Sequence, residues 1–488
     1  MLDKIEKKKT LILILSILIC IWTLFVIVHY SGYSFWGDEM GTIVVANPIH
    51  SLSETLKIWF NEDYVQVPLF FIIAHFWMKI SPYGTKWLLL ICELMVLIGF
   101  LINEENSKWI NGRLTGLLCL IFNCLCSYIV IQGAYEFRPY AMNYMFSSLL
   151  IFMFIKKHFQ MTTKNLILYG ITGVLLNYTH YTTIMLFAAL FIADFFEWLR
   201  KREDIKFLIS YLIWGIFYFP FIIMMYVHVR SSMNKFWLKT PKYSDFFRIS
   251  HQLLQNKIIF AFYIIAIVST IIWLSYKIIK HSKLTIPEQV SAYCIWMILG
   301  MKILIFAFSK YINPNYSLWL PRYFMCLIPA MLLIITLFWA KLIEIAKKKQ
   351  AICSILCLFL LIMLGICEKD YIKDLKENRY PEIERQPFEQ AAEILRQQPD
   401  FWDNTTAIYS SGYVVEAWQY YLAHGDMKPG LLNFIPRDMD GVNPLEYKTI
   451  YVFIVEEPMP EEVQAYLNAH FDKEELEDNY QLFKYTRK

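Results

Sequence analysis

Two adjacent carboxylates follow the first long apolar run of the chain. Asp38 and Glu39 occur in the segment FWGDEMGT. A carboxylate can take a proton from a hydroxyl group that acts as a nucleophile, so Asp38 is a candidate general base with Glu39 beside it. Charged residues are costly to place next to apolar spans, which favours a functional role. A solvated loop would contain the same pair, and composition alone does not separate these two interpretations.

Three basic residues in later polar segments are candidates for binding an anion. Arg138 lies in QGAYEFRPY, whereas Lys310 and Arg322 lie in KYINPNYSLWLPRYF. The guanidinium group binds a phosphate through two parallel hydrogen bonds, which hold the phosphate and stabilise it as a leaving group. With Asp38 as the base, these residues predict chemistry on a phosphate-bearing lipid. Arginines that extend from span ends towards the headgroups give the same pattern.

Further polar and aromatic residues in the same segments complete the predicted substrate pocket. They are Glu62, Asp63, Gln66, Glu136, Tyr140, His180, Tyr181 and Tyr323. His180 also fits a packed interfacial histidine. Tyr181 also fits the belt of aromatic residues that membrane proteins place at the bilayer surface. The cysteines show no pair or Cys/His spacing typical of a metal site, so no metal is predicted from them.

The composition indicates what kind of chain positions these residues. Of 488 residues, 57% are hydrophobic and 18% are charged, and the mean hydropathy is +0.40. These values exclude a single soluble domain and a disordered chain. Apolar runs of about 20 residues, the length that crosses a bilayer, predict a polytopic α-helical membrane protein. The predicted spans are 10–30, 84–103, 114–131, 139–156, 164–179, 183–199, 207–229, 257–279, 288–309, 321–340 and 351–367.

Loop charges predict the orientation of these spans in the cell membrane. Lysines before the first span place the N-terminus in the cytoplasm. The later basic loops, which follow residues 155, 199, 276 and 340, also face the cytoplasm only if segment 68–80 does not cross. We therefore predict about eleven spans, with 68–80 as an interfacial helix on the outer leaflet. The first external loop, 31–83, is then the largest loop between spans.

The charge balance changes sign near residue 368. Residues 1–367 contain 33 Lys and Arg against 18 Asp and Glu, whereas residues 368–488 contain 13 against 24. We predict a membrane domain (1–367) and a soluble extracytoplasmic domain (368–488). In the latter, FEQAAEILRQQ, VVEAWQYYLAHG and EEVQAYLNAHF are predicted as helices. TAIYSS, TIYVFIVEE and YQLFKYTR are predicted as strands, the last at a sheet edge, which together indicate a small α/β domain.

Four motifs resemble those of the GT-C superfamily of membrane glycosyltransferases. The similar branch contains the protein O-mannosyltransferases and the bacterial aminoarabinose transferase for lipid A. The motifs are WGDE, DYVQVPLFFIIAHFW, QGAYEFRPYAM, and the pair THYT and LPRYF. All occur in the family's order and on the predicted external side. The chain departs from the family at Gln66 and Val67, where His and Pro are common, and at Glu136 and Phe137, where Glu-Ala is usual.

The resemblance implies an inverting transfer of a hexose or pentose. The donor would be a polyprenyl-phosphate-linked sugar, and the acceptor an extracytoplasmic cell-envelope glycan, lipid or protein. It implies Asp38 as the general base with Glu39 beside it, and Arg138 and Arg322 as contacts of the lipid phosphate.

No cofactor is expected, since the branch mostly works without a catalytic metal. Other members of the superfamily use a divalent metal, for which Asp38 with Glu39, Glu62 or Asp63 would be the ligands. No nucleic-acid partner is expected.

A transporter or flippase of a lipid-linked glycan is the main alternative function. Such a protein would carry inverted repeats and charged or broken spans near the membrane midplane, which the sequence does not show clearly. A sensor or scaffold that acts through the acidic C-terminal residues is a third hypothesis. The sequence identifies neither the sugar nor the acceptor.

Overall fold

The structure of the chain is a computed structural model that divides into two compact units. It describes residues 2–488 except 32–33, 36, 63–66, 202–204, 233–237, 348–349, 377–387, 411–414, 426–431, 455–457 and 478–480. Unit 1 contains Met1–Tyr30, Tyr64–Leu69 and Cys92–Arg379. Unit 2 contains Ser31–Asp63, Phe70–Ile91 and Tyr380–Lys488. Most of the predicted first external loop therefore groups with the C-terminal residues.

Helices make up most of the described chain, and its strands lie near the C-terminus. The helices are α1 (Leu2–Tyr30), α2 (Gly37–Val45), α3 (Leu52–Glu62), α4 (Leu69–Ile80), α5 (Thr85–Asn111), α6 (Arg113–Cys124), α7 (Ser127–Ile129), α8 (Tyr140–Phe159), α9 (Thr163–Asn177), α10 (Thr183–Lys201), α11 (Leu208–Ser232), α12 (Tyr243–Leu254), α13 (Lys257–Ile279), α14 (Ile286–Ala307), α15 (Ile328–Ala346), α16 (Gln350–Lys376), α17 (Phe388–Arg396), α18 (Val415–Leu422) and α19 (Glu461–His470). The strands are β1 (Thr406–Ser410), β2 (Asn433–Ile435), β3 (Thr449–Phe453), β4 (Phe471–Glu477) and β5 (Leu482–Arg487).

Helix α15 lies at the centre of unit 1. It packs against α6, α8, α13, α14 and α16. Its side chains are apolar on nearly every face and most are buried, as expected of a helix that other helices surround. Elsewhere in the unit, small residues allow close packing. An added Cβ at Gly170 of α9 would lie 2.7 Å from the carbonyl oxygen of Ser210 in α11.

The predicted span 114–131 is not one straight helix. Helix α6 ends at Cys124, and the chain bends by 63° before Ser127–Ala134. Cys126 adopts an extended backbone conformation at this bend. After α7 the chain continues as a π-helical segment, Val130–Ala134. A second π-helical segment, Phe308–Ile312, follows α14. Segments of this kind are rare and often occur at functional sites.

Six helices of the described chain are long and apolar enough to cross a bilayer. They are Leu13–Tyr30, Thr85–Asn111, Ile205–Val227, Lys257–Ile279, Ile286–Ile312 and Pro321–Ala346, and the bent pair around Cys126 would be a seventh. The chain is a multi-pass membrane protein. Helices α8, α9, α10 and α16 occupy the other four predicted positions but are outside this set. The count of eleven spans is therefore not confirmed.

Unit 2 contains helices α2, α3 and α4. Helix α4 confirms that segment 68–80 is helical, while its place at the outer leaflet stays a prediction. One face of α4 is buried through Phe70, Phe71, Ala74, His75 and Met78, whose spacing follows the helical repeat. His75 Nδ1 lies 3.1 Å from Thr55 Oγ1 of α3. Helices α3 and α4 are thus packed against each other by a buried polar contact.

The C-terminal residues of unit 2 form a five-stranded sheet in the order β2-β1-β3-β5-β4. Strands β1, β2 and β3 are parallel, and β5 is antiparallel to β3 and β4. The three predicted helices and the strands TAIYSS and TIYVFIVEE are confirmed. The prediction that YQLFKYTR is an edge strand is wrong, because β4 covers its outer side. The sequence of β4, FDKEELE, is acidic and largely exposed, which conceals its strand character.

Candidate functional site

Two arginines and three ring-bearing side chains meet in unit 1. We call them the arginine cluster (Arg138, Tyr140, His180, Arg322 and Tyr323). The ring centroids of His180 and Tyr323 are 4.7 Å apart, and those of Tyr140 and His180 are 6.2 Å apart. The guanidinium carbon of Arg322 lies 5.9 Å from the centre of the Tyr140 ring. Both arginines act electrostatically on His180. The structure therefore brings together five residues that the sequence predicted from three separate loops.

The π-helical segment Val130–Ala134 leads directly to Arg138. The backbone N–H of Arg138 donates to the carbonyl oxygen of Glu136 over 2.8 Å, which closes a tight turn before α8. Glu136 is fully buried, and Gln132 Nε2 donates to its Oε1 over 2.5 Å. Glu136 also acts electrostatically on Tyr140. The predicted pocket residue Glu136 thus adds a carboxylate beside the arginine cluster, held by a glutamine whose contact sequence reasoning missed.

Thr182 connects two loops of the arginine cluster. Its hydroxyl donates to the carbonyl oxygen of Tyr323 over 3.1 Å, and its Oγ1 lies 2.8 Å from His180 Nδ1. Arg322 is the second residue of the 3-10 helix Pro321–Leu327. Pro321 fixes the backbone φ angle at the start of that helix. Sequence reasoning missed Thr182, since a threonine in a polar loop gives no signal of a long-range contact.

His180 is a neutral member of the arginine cluster. Burial, with the positive charges of Arg322 and Arg138, lowers the pKa of His180 to about 3. The imidazole is therefore uncharged at physiological pH, with one ring nitrogen that can donate a hydrogen bond and one that can accept a hydrogen bond. The positive potential of Arg138 and Arg322 disfavours protonation of the imidazole. The same potential favours the binding of an anion.

Two other predicted residues of unit 1 contact different side chains. Tyr181 lies near Tyr218 and Tyr316, and Tyr316 also lies near Tyr323 of the arginine cluster. Lys310 lies in the π-helical segment Phe308–Ile312, where its Nζ donates to the carbonyl oxygen of Pro241 over 2.9 Å and lies 4.6 Å from the centre of the Tyr243 ring. Lys310 therefore contacts the chain around the start of α12, and in the described contacts it is separate from the arginine cluster.

The predicted acidic pair lies in unit 2, in the first turn of α2. Carboxylates at a helix N-terminus interact favourably with its partial positive charge, which explains why the helix begins here. Glu39 is fully buried, whereas Asp38 is partly exposed. Of the two carboxylates, Asp38 is thus the one that a solvent molecule or substrate reaches.

Three predicted pocket positions lie outside the described residues. They are Asp63, Gln66 and the side chain of Glu62. Within the described parts of the chain, no group of three or more His, Cys, Asp or Glu side chains could hold a metal ion. A metal site that combines Asp38 with Glu62 or Asp63 is not tested by that result.

Solved structures with the same arrangement of helices decide the fold. The chain matches ArnT, the aminoarabinose transferase, from Cupriavidus metallidurans in the apo state over 98% of both chains, with a TM-score of 0.59 and 10% identity. ArnT bound to undecaprenyl phosphate matches over 97% of both chains, with a TM-score of 0.53 and 10% identity. The chain has the GT-C fold. The GT-C match extends to the oligosaccharyltransferase of Archaeoglobus fulgidus in complex with Zn and sulfate, over 89% of this chain and 68% of that one, with a TM-score of 0.51 and 10% identity.

The GT-C fold agrees with the resemblance that four short motifs indicated. No protein-family model and no curated protein sequence matches the chain. At 10% identity the solved structures show the fold alone, so the chemistry has to be argued from the side chains of this chain.

Sequence reasoning missed a second group of buried charges, which lies between helices α8 and α10. We call it the ion network (Lys157, His158, Asp194 and Glu197). Lys157 pairs with Asp194, and these side chains are only 2% and 3% exposed. His158 Nε2 lies 3.0 Å from Asp194 Oδ1, and its Nδ1 lies 3.0 Å from Glu197 Oε2.

Lys157 lies in the last turn of α8 with its side chain buried, and the prediction that the basic residues after position 155 face the cytoplasm stays a prediction. The missed signal was the two carboxylates three residues apart inside a predicted span, where carboxylates need partners.

Proposed function

We propose that the chain is an integral-membrane glycosyltransferase. It would transfer a sugar from a polyprenyl-phosphate-linked donor to an acceptor outside the cytoplasm. The observation that carries this proposal is the convergence of Arg138 and Arg322 on His180 in a chain with the GT-C fold. The ArnT structure bound to undecaprenyl phosphate supports a lipid phosphate as the anion.

The arginine cluster has the chemistry that a sugar phosphate requires. Two guanidinium groups bring two positive charges to one place, which favours the binding of a phosphate. Each group can donate two parallel hydrogen bonds to phosphate oxygens. Tyr140, Tyr323 and the neutral His180 offer ring faces and polar atoms, which suit a sugar with both apolar faces and hydroxyl groups. Lys310 remains a predicted contact of the donor lipid outside this cluster.

The proposed reaction is a single displacement at the anomeric carbon. The Asp38 carboxylate takes the proton from an acceptor hydroxyl, and the acceptor oxygen forms the new bond to the anomeric carbon. The bond from that carbon to the phosphate oxygen breaks, and polyprenyl phosphate leaves with the electron pair. Arg138 and Arg322 stabilise the charge on the departing phosphate. Attack from the face opposite the phosphate inverts the configuration, and no sugar nucleotide is needed.

The proposed topology places this chemistry outside the cytoplasm. We infer eleven spans from helices at all eleven predicted positions and from the basic loops between them. The N-terminus is then cytoplasmic, helix α4 lies at the outer leaflet, and the C-terminal residues are extracytoplasmic.

The test of this function is donor turnover by purified protein and by its Asp38→Asn variant. Both are incubated with radiolabelled polyprenyl-phosphate sugars and a membrane extract as the source of acceptor. We expect the wild type to release polyprenyl phosphate and the variant to do so about 10²–10⁴-fold more slowly, since it lacks the base. Asp440→Asn, which makes the same chemical change at an exposed residue, is the matched control and should behave as wild type.

Three outcomes separate the hypotheses. Release by the wild type with loss in Asp38→Asn supports the enzyme and its base, and the labelled product identifies the acceptor. Movement of the lipid across vesicles without any release overturns the enzyme and favours a flippase. Equal turnover by wild type and variant keeps the reaction class and removes Asp38 as the base, which directs attention to Glu39.

A further inference from the structure

A tyrosine near the C-terminus contacts the backbone that precedes the acidic pair. The backbone N–H of Phe35 donates to the hydroxyl oxygen of Tyr421 in α18 over 2.7 Å. Both side chains are fully buried, with ring centroids 6.1 Å apart. Phe35 lies three residues before Asp38 and two before the start of α2. The Tyr421 hydroxyl therefore fixes the chain just before the helix that carries the carboxylates.

The same hydroxyl is part of a short series of hydrogen bonds. It lies 3.2 Å from Thr85 Oγ1 at the start of α5, and Thr85 hydrogen-bonds the carboxylate of Glu389. Phe35 N–H donates to Tyr421. Because an ionised carboxylate only accepts, Thr85 O–H donates to Glu389, and the Thr85 oxygen is then the acceptor for Tyr421 O–H. Burial raises the pKa of Tyr421, so its hydroxyl stays protonated and can donate a hydrogen bond. Each hydroxyl in the series is both an acceptor and a donor.

Ser34 provides a second connection to the C-terminal residues. Its Oγ donates to Gln390 Oε1 over 3.1 Å and accepts a hydrogen bond from the backbone N–H of Glu389 over 3.1 Å. Helices α17 and α18 therefore hold two consecutive residues before α2, one through a side chain and one through the main chain. An arrangement with this many directed contacts defines the position of the segment more tightly than apolar packing does.

We propose that Tyr421 is a positioning residue that holds the segment Ser34–Phe35, just before α2, and thereby the Asp38 carboxylate at a fixed place. This inference rests on the proposed role of Asp38 as general base. Proton transfer requires the carboxylate within about 2.6–3.2 Å of the hydroxyl that it deprotonates. A displacement of about 1 Å costs about 10²-fold in rate. Tyr421 acts through the backbone of Phe35 and does not contact substrate.

The test compares Tyr421→Phe with Tyr420→Phe in the full-length purified protein. Tyr420 is the matched control, because its hydroxyl accepts a hydrogen bond from Gly84 N–H over 3.3 Å and its ring packs 6.3 Å from that of Phe35. Loss of the Tyr421 hydroxyl should lower kcat by about 10–100-fold while the donor KM stays within about twofold. Tyr420→Phe should keep kcat within about threefold of wild type.

A second measurement reports on the segment independently of activity. Hydrogen–deuterium exchange of the peptide that contains Phe35 should be faster in Tyr421→Phe and unchanged in Tyr420→Phe. If Tyr421→Phe does not fold, Ser34→Ala, which removes the other connection, should show the same lower kcat and faster exchange.

Faster exchange with an unchanged kcat would overturn the inference, and so would equal losses of kcat in Tyr420→Phe and Tyr421→Phe. A wild type that releases no polyprenyl phosphate from any donor refutes the proposed function instead. In that event, unchanged exchange in Tyr421→Phe would show that Tyr421 does not hold the segment.

Discussion

Helix α8 has a group of buried charges at each end, and the two groups are built differently. At its start, the arginine cluster gathers two guanidinium groups around aromatic rings and a neutral imidazole. At its end, the ion network alternates cations with carboxylates. The hydroxyl of Tyr211 donates to Asp194 over 2.5 Å, and that of Tyr293 donates to Glu197 over 3.0 Å. Every carboxylate of the ion network is thus paired and hydrogen-bonded.

The dipole of helix α8 adds to the difference between the two groups of charges. Lys157 and His158 lie in the last turn of α8, where cations are stabilised by the partial negative charge. Arg138 lies just before the first turn, where anions are preferred. The last turn of α8 thus suits the cations of the ion network, whereas its first turn suits an anion beside Arg138. We therefore expect a structural role for the ion network and anion binding at the arginine cluster.

The largest expected effect is on stability and concerns the ion network. Asp194→Asn leaves Lys157 buried beside a neutral amide, so the free energy of unfolding should fall by about 3–5 kcal/mol. Unfolding in detergent micelles measures this change. Replacing both partners, with Lys157→Met and Asp194→Leu, should recover most of the loss, since no unpaired charge remains. A loss of turnover in Asp194→Asn without a loss of stability would place the ion network in the catalytic site. The proposed difference between the ion network and the arginine cluster would then be wrong.

The second effect is on turnover and concerns the arginine cluster. Arg322→Gln should lower kcat/KM for the donor by about 10²–10³-fold, because the leaving phosphate loses a charged donor. Arg322→Lys should fall between this variant and wild type, since it keeps the charge and loses the two parallel hydrogen bonds. Turnover and the free energy of unfolding are measured on the same samples.

Arg248→Gln, at an exposed position of α12, is the control for the arginine variants. If Arg322→Gln destabilises the protein as much as Asp194→Asn does, the arginine cluster is structural.

The smallest effect is on pH dependence and concerns His180. Because its folded pKa is about 3, below the ordinary value of 6.5, the unfolded chain takes up a proton here that the folded chain resists. Stability from this group is present above pH 6.5 and is lost as the pH falls towards 3. His180→Gln should therefore lose less thermal stability than wild type between about pH 7 and pH 5.

Turnover between about pH 6 and pH 8 should have the same pH profile in His180→Gln and wild type, since His180 is neutral throughout. A shifted profile would mean that His180 titrates during the reaction.

The sequence predicts most of the helices, because apolar length determines where a chain can cross a bilayer. It also predicts the residues of the arginine cluster, since polar residues in the loops between apolar helices stand out against an apolar background. Helices α2 and α12 were not predicted, because short helices in loops have no comparable signal. The bend at Cys126 was not predicted either, since the residues on both sides of it are apolar.

The long-range contacts of single side chains are the part that the sequence does not reveal. Lys157 and Asp194 are 37 residues apart, and their pairing depends on which helices are neighbours. Tyr421 lies in a segment that was correctly predicted as helical, but nothing in VVEAWQYYLAHG marks its hydroxyl as a partner of Phe35. Periodicity predicts which face of an element is buried and does not predict what that face contacts.

The π-helical segment Val130–Ala134 has a consequence for how this protein can vary. A turn closed by i→i+5 hydrogen bonds contains one residue more than an α-helical turn. The wider turn accommodates that extra residue, so deleting one residue there would remove the π-helical turn and shorten the link between α7 and Arg138 by one residue. A substitution keeps the length of this link unchanged. We therefore expect a single deletion in Val130–Ala134 to disturb the arginine cluster more than a substitution there does.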